Sequence, residues 1–135
     1  MTLPIISMPL AGQVLGSTRD SFVIAEWEDP GGYGDSPFLI APPHIHHNDD
    51  EAWYVLEGVL RVRRGDEVVE ARAGSGILVP RGTPHTYWNP GEGQCRYLLI
   101  MTPGIYELIQ EIHATSDRSP AAMRELFGRH DSELL

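Results

Sequence analysis

The sequence is poor in several things at once. It has one cysteine, Cys95, so no disulfide can form within the chain, and its setting beside Tyr97, Leu98, Leu99 and Ile100 predicts an inert strand thiol. It has no apolar run near membrane length and no charged opening followed by an apolar stretch, which points to a cytoplasmic protein without a membrane partner. Basic residues are scarce too. Ten Lys+Arg against 19 Asp+Glu give a formal charge of -9, and the densest basic run is Arg61-Val62-Arg63-Arg64. That run is too short to track a phosphate backbone, so nucleic acid is excluded as a partner.

What is abundant is punctuation. Fourteen glycines and 11 prolines recur between short apolar runs in a chain of 135 residues, the pattern of a single all-β domain. Strands are expected at Ser21–Glu28, from Phe38 into the following prolines, at 52–56 and at 77–79. Others are expected at Val59–Arg63 and Glu67–Ala71 as a hairpin, and at Arg96–Met101. The period changes after Pro103, where Tyr106, Ile109, Ile112 and His113 follow helical spacing. Ser119-Pro120 opens a second short helix. Residues 1–11 form an apolar, proline-broken arm, suited to an edge strand or to packing on a second subunit in a homodimer. The last residues, HDSELL, are expected to fray.

The chemistry concentrates in two stretches. In residues 41–58, APPHIHHNDDEAWYVLEG, His44 and His46 are two apart, so on a strand both imidazoles face one side. Pro42 and Pro43 favour extended backbone ahead of them. A short polar turn then returns Glu51 to the same place. In residues 74–89, GSGILVPRGTPHTYWN, Gly82 allows the sharp turn that carries His85 inward. His44, His46, Glu51 and His85 make a mixed nitrogen and oxygen set suited to a divalent transition metal such as Fe, Mn, Ni or Zn. Four protein ligands on a six-coordinate ion leave two positions for water, O2 or a substrate. His47 faces away from His46, and His113 and His130 read as surface groups. Alternation from Glu51 and His85 puts Trp53, Val55 and Tyr87 on the metal side. With Ile77, Val79, Leu98 and Ile100 they are the candidate walls of an apolar pocket for a small-molecule substrate.

The two stretches together, His44-x-His46-x4-Glu51-x6-Gly58 and Gly74-x5-Pro80-x-Gly82-x2-His85-x3-Asn89, resemble the paired motifs of the cupin superfamily in order and spacing. The opening glycine of the first motif is absent, with Pro37 or Ala41 in its region. The resemblance spans roughly residues 20–102. It implies a jelly-roll β-barrel (a double-stranded β-helix), with a barrel core at about 12–102 and short C-terminal helices in a tail at 103–135. It also implies a metal held inside by His44, His46, Glu51 and His85, with Glu51 as the general base if the protein is a dioxygenase or an isomerase. Among the activities such a family hosts, a dioxygenase of the quercetinase-like kind, acting on an aromatic or polyketide-like substrate, is the first expectation. A non-oxidative isomerase or cyclase, or a metal-stabilised binding protein without catalysis, are the alternatives. One fold hosts many chemistries, so the motifs leave the reaction open.

Overall fold

The computed structural model describes residues 9–135 apart from Ala11, so most of the expected N-terminal arm lies outside the described residues. Ten strands and two helices follow in order. The strands are β1 (Val14–Leu15), β2 (Val23–Asp29), β3 (Leu39–His46), β4 (Glu51–Glu57), β5 (Val59–Arg64), β6 (Glu67–Arg72), β7 (Gly76–Val79), β8 (His85–Trp88) and β9 (Cys95–Met101). After them come α1 (Pro103–Ala114), α2 (Pro120–Arg129) and β10 (Ser132–Leu134). They form two five-stranded antiparallel sheets, ordered β1-β2-β9-β4-β7 and β10-β3-β8-β5-β6. This is a mostly β two-sheet sandwich of the jelly-roll kind with two C-terminal helices. Among the described residues no helix is long and apolar enough to cross a membrane.

Alternation builds the interior. In β9 Cys95, Tyr97, Leu99 and Met101 are buried, while Arg96, Leu98 and Ile100 between them are only partly covered. In β4 Glu51, Trp53 and Val55 point in, and Tyr54 stays exposed. Strand β3 carries two prolines, which cannot donate to a ladder; its pairing with β8 accordingly slips between Leu39 and Ala41 and again between Ala41 and His44. Thr86 repairs part of that irregularity by donating its hydroxyl to the Ala41 carbonyl at 2.6 Å. Gly58 sits at φ 79° between β4 and β5, where any Cβ would run into the Gln94 carbonyl oxygen.

Both helices start as their sequences predict. Thr102 and Ser119 cap α1 and α2, accepting from Ile105 N and Ala122 N, with Pro103 and Pro120 in the first turns. The tail does not fray. Asp131 turns the chain in the left-handed region at φ 54°, and β10 pairs antiparallel with β3, placing Ser132 opposite His46 and Leu134 opposite His44. The main-chain bonds His47 N to Asp131 O (2.9 Å) and Leu135 N to Pro43 O (3.0 Å) extend the ladder. The reason is the open edge of β3, which these residues cover. The polar letters in HDSELL hid a strand whose role is to pair, not to fill a core.

Candidate metal centre

The register of the sheets assembles the site. His44 and His85 are cross-strand partners on β3 and β8, and His46 lies two residues along the same face of β3. Glu51 opens β4 in the opposite sheet. A main-chain link holds the loop that delivers His85: Gly82 N donates to His46 O at 2.7 Å, tying the turn before His85 to the end of β3. The acids between His46 and Glu51 are engaged elsewhere. Asp49 accepts from the Thr102 hydroxyl at 2.7 Å beside the start of α1, and Asp50 binds Arg81 through its backbone N at 2.9 Å and its guanidinium. Glu51 is thus the carboxylate of that stretch that turns inward.

The structure brings His44, His46, Glu51 and His85 together. All four are buried, at 5, 3, 5 and 3 % exposure, and their ligand atoms lie within 4.8 Å of one another. His44 Nε2 is 3.1 Å from His46 Nε2, and His85 Nε2 is 3.0 Å from Glu51 Oε1. His46 Nε2 stands 3.9 Å from the same oxygen. Two donors each about 2.1 Å from one ion and at right angles lie about 3 Å apart, so these spacings fit a single transition-metal ion.

The hydrogen bonds behind the rings settle which nitrogens face the centre. His44 Nδ1 donates to Pro42 O at 2.5 Å and His85 Nδ1 donates to Thr83 O at 2.9 Å. His46 Nδ1 lies 2.7 Å from Ser132 Oγ, whose own proton goes to His130 O at 3.2 Å, so the hydroxyl accepts from the ring. A neutral imidazole has one N–H, and here each is already given outward. Burial, reinforced by neighbouring imidazoles, lowers His44 to about 4 and His46 to about 2, so neither gains a second proton near neutrality. The Nε2 atoms of three imidazoles and a carboxylate oxygen of Glu51 therefore converge on one buried centre, and this donor set is of metal-binding type.

A cavity of about 540 Å³ opens onto three of these ligands, His44, His46 and Glu51. Its walls come from the sheets (Trp27, Ile40, Tyr87, Tyr97, Leu99) and from the helices (Ile105, Leu108, Ile109, Ile112, Met123, Phe127), with His113 and Arg118 also lining it. Burial raises the Tyr87 and Tyr97 phenols, whose oxygens are 3.3 Å apart, so both remain protonated.

Of the expected pocket residues, only Tyr87 lines this cavity. Trp53, Val55, Ile77 and Val79 do point inward, but they are packed into the solid core. Leu98 and Ile100 have the opposite parity and turn to the outer face of their sheet, because Arg96 on the same face pairs with Glu26 at 2.9 Å. That arginine was the available signal: its charge sets the outward side of β9 and leaves Tyr97 and Leu99 inside. The helical wall had no comparable signal. His47 faces out toward Glu133 at 3.5 Å, and His130 pairs with Glu111, away from the centre. Tyr33 packs on Phe38 and donates to Asp29. Arg61 pairs with Glu70 across the hairpin. Burial pushes the Cys95 thiol up to about 11, in keeping with an inert role.

Comparison with known proteins agrees on the fold. A model of the cupin domain matches residues 35–101. The xanthan biosynthesis protein XanB of Xanthomonas campestris is 38% identical over 48 residues, which are 36% of this chain and 10% of that protein. The chain therefore matches only about a tenth of this curated relative's length. A solved protein of Thermus thermophilus superposes with a TM-score of 0.52 at 24% identity, covering 62% of this chain and 73% of that one. A sugar phosphate isomerase from Silicibacter pomeroyi gives 0.52 at 20% identity, over 62% of this chain and 51% of that one. The Cnp3 cupin domain of Schizosaccharomyces pombe gives 0.54 at 18%, over 72% and 63%.

Proposed function

Since this chain belongs to the cupin superfamily, we propose that it is a metal-dependent enzyme of dioxygenase type acting on a small, mainly apolar molecule. The observation that carries the reading is the apolar cavity opening directly onto His44, His46 and Glu51. A redox-active ion such as iron or manganese, when bound by these three residues and His85, supplies Lewis acidity and electrons for oxygen chemistry.

The protein's own groups do the rest. Ile40, Leu99, Ile109 and Phe127 exclude water and hold apolar surface. The Tyr87 and Tyr97 hydroxyls share one hydrogen bond between two protons, which leaves a donor for an oxygen of the substrate. Glu51, at the cavity wall, takes a proton from a substrate hydroxyl. A sugar phosphate, as the name of one structural relative suggests, suits this cavity less well. Such a ligand asks for many polar partners and a cationic phosphate seat, and here Arg118 is the one Arg or Lys in the wall. The position of Glu51 nevertheless favours a second reading, a non-oxidative isomerase or cyclase in which the same carboxylate is the base.

The test starts from protein purified without added metal. Elemental analysis is expected to find about one transition-metal ion per chain, and none in the double variant H44A/H85A. After anaerobic reconstitution with Fe(II) or Mn(II), O2 uptake is followed with a panel of phenolic substrates. Uptake supports the dioxygenase reading. Absence of uptake with every metal sinks it, and turnover unchanged without O2 supports the isomerase reading. Ligand binding without turnover of either kind leaves a metal-stabilised binding protein.

A further inference from the structure

The three inward imidazoles are held in one tautomer by two different means. His44 and His85 give their Nδ1 protons to carbonyls two residues away, Pro42 O and Thr83 O. Those partners are main chain, and they travel with the ligand. His46 instead depends on a side chain 86 positions distant, Ser132 Oγ, at 2.7 Å. Ser132 is 5 % exposed, and strand pairing sets it directly opposite His46. Its proton is committed to His130 O, so toward the ring it is only an acceptor. An acceptor there selects the imidazole that carries its proton on Nδ1 and keeps Nε2 bare.

We propose that Ser132 is a positioning residue for the metal centre, and that the β10 strand is thereby a working part of the site. The inference rests on the metal reading of His44, His46, Glu51 and His85. The elements around β10 are arranged to deliver the hydroxyl. The left-handed turn at Asp131 reverses the chain out of α2, and Glu111 on α1 pairs with both Arg129 and His130 just before that turn. Without the hydroxyl, the His46 Nδ1–H is buried with no acceptor. The ring then gains by moving its proton to Nε2, where it blocks the ion, or by rotating away. Either change removes one of four ligands from its place.

The experiment compares wild type with S132A, S132T and E133A. Glu133 is the exposed neighbour on the same strand and faces His47, so E133A disturbs β10 and leaves the hydroxyl. Zn(II) and Co(II) affinities are measured by competition with a chromophoric chelator, and circular dichroism of the metal-free proteins checks folding. S132A is expected to bind about 10- to 100-fold more weakly, with S132T and E133A close to wild type. The zinc-loaded wild type and S132T are expected to show a slowly exchanging His46 Nδ1–H proton resonance that S132A lacks. Equal affinity of S132A and wild type overturns the proposal while the metal reading stands. Equal weakening in S132A and E133A overturns it as well, since the strand and not the hydroxyl then matters, and so does a persistent resonance in S132A. Wild type that takes up neither metal overturns both readings together.

Discussion

The inside of the barrel has a filled part and a hollow part. In the first, Trp53, Val55, Leu60, Val62, Ile77 and Val79 close on one another, all nearly inaccessible. In the second, His44, His46, Glu51, Tyr87 and Leu99 face a cavity roofed by residues of α1 and α2. The same strands serve both parts: β4 gives Trp53 and Val55 to one and Glu51 to the other. The difference is what stands opposite. Where sheet meets sheet, side chains interdigitate to the density of an organic solid. Where the roof is a pair of helices on the C-terminal side of β9, room remains. The packed core and the candidate site are thus drawn from adjacent stretches of one strand, and they should respond separately to mutation.

Three substitutions or conditions sharpen that contrast. The largest effect is expected at the filled part. W53A removes an indole that packs 5.0 Å from the Tyr87 ring and 5.9 Å from that of His85. It should cost about 3–5 kcal/mol in urea unfolding of the metal-free protein. The folded fraction should still take up metal, because none of the four ligands takes a hydrogen bond from Trp53. The indole Nε1–H makes no hydrogen bond of full geometry and only approaches the Tyr87 hydroxyl, so the loss is mainly one of packing. A loss well under 1 kcal/mol would make the two parts mechanically alike.

A smaller effect belongs to the hollow part and appears with acid. Unfolded histidine titrates near 6.5, whereas burial, then the neighbouring imidazoles, hold His44 at about 4 and His46 at about 2. Between those values the unfolded chain binds more protons than the folded one, so stability rises with pH there. The contribution is whole above about pH 6.5 and drains as pH falls through 4 and then toward 2. Unfolding free energies of chelator-treated protein from pH 7 to pH 4 should decline along that course, and H46L should flatten the decline. A flat profile in wild type would deny that the histidines are held neutral.

The smallest effect has the opposite sign. E51Q replaces the carboxylate oxygen 3.0 Å from His85 Nε2 by an amide that can offer an N–H donor there. The metal-free variant should be more stable by about 1 kcal/mol, even as its affinity for metal falls. Urea midpoints in chelator decide it, and a destabilised E51Q would mean that the site already holds a proton of its own.

Much of the hollow part's chemistry was legible from the residues, and little of its shape. The His44-x-His46 step, the polar turn to Glu51 and the Gly82 bend to His85 are local patterns, and local patterns fix side-chain direction. Depth along the barrel is not local. Trp53 and Val79 have the right parity for a pocket, yet they fill the core, because what lies opposite them is decided by the pairing of strands far apart in sequence. The roof was harder still. Ile105, Leu108 and Phe127 show a helix with an apolar face, but not the surface that face covers. Ser132 was the least visible: a lone serine in a polar tail has meaning only once β10 is laid against β3.

That last pairing has a bearing on how the molecule is made. The strand bearing His44 and His46 leaves the ribosome well before its edge is covered, since Ser132 follows His46 by 86 positions. Non-local pairings of this sort close late. A cation arriving during synthesis meets imidazoles free to take either tautomer, and only when the segment carrying Ser132 has emerged and docked does the third ring lock. For an ion held at this site, the full set of ligands would be fixed only after β10 has paired with β3.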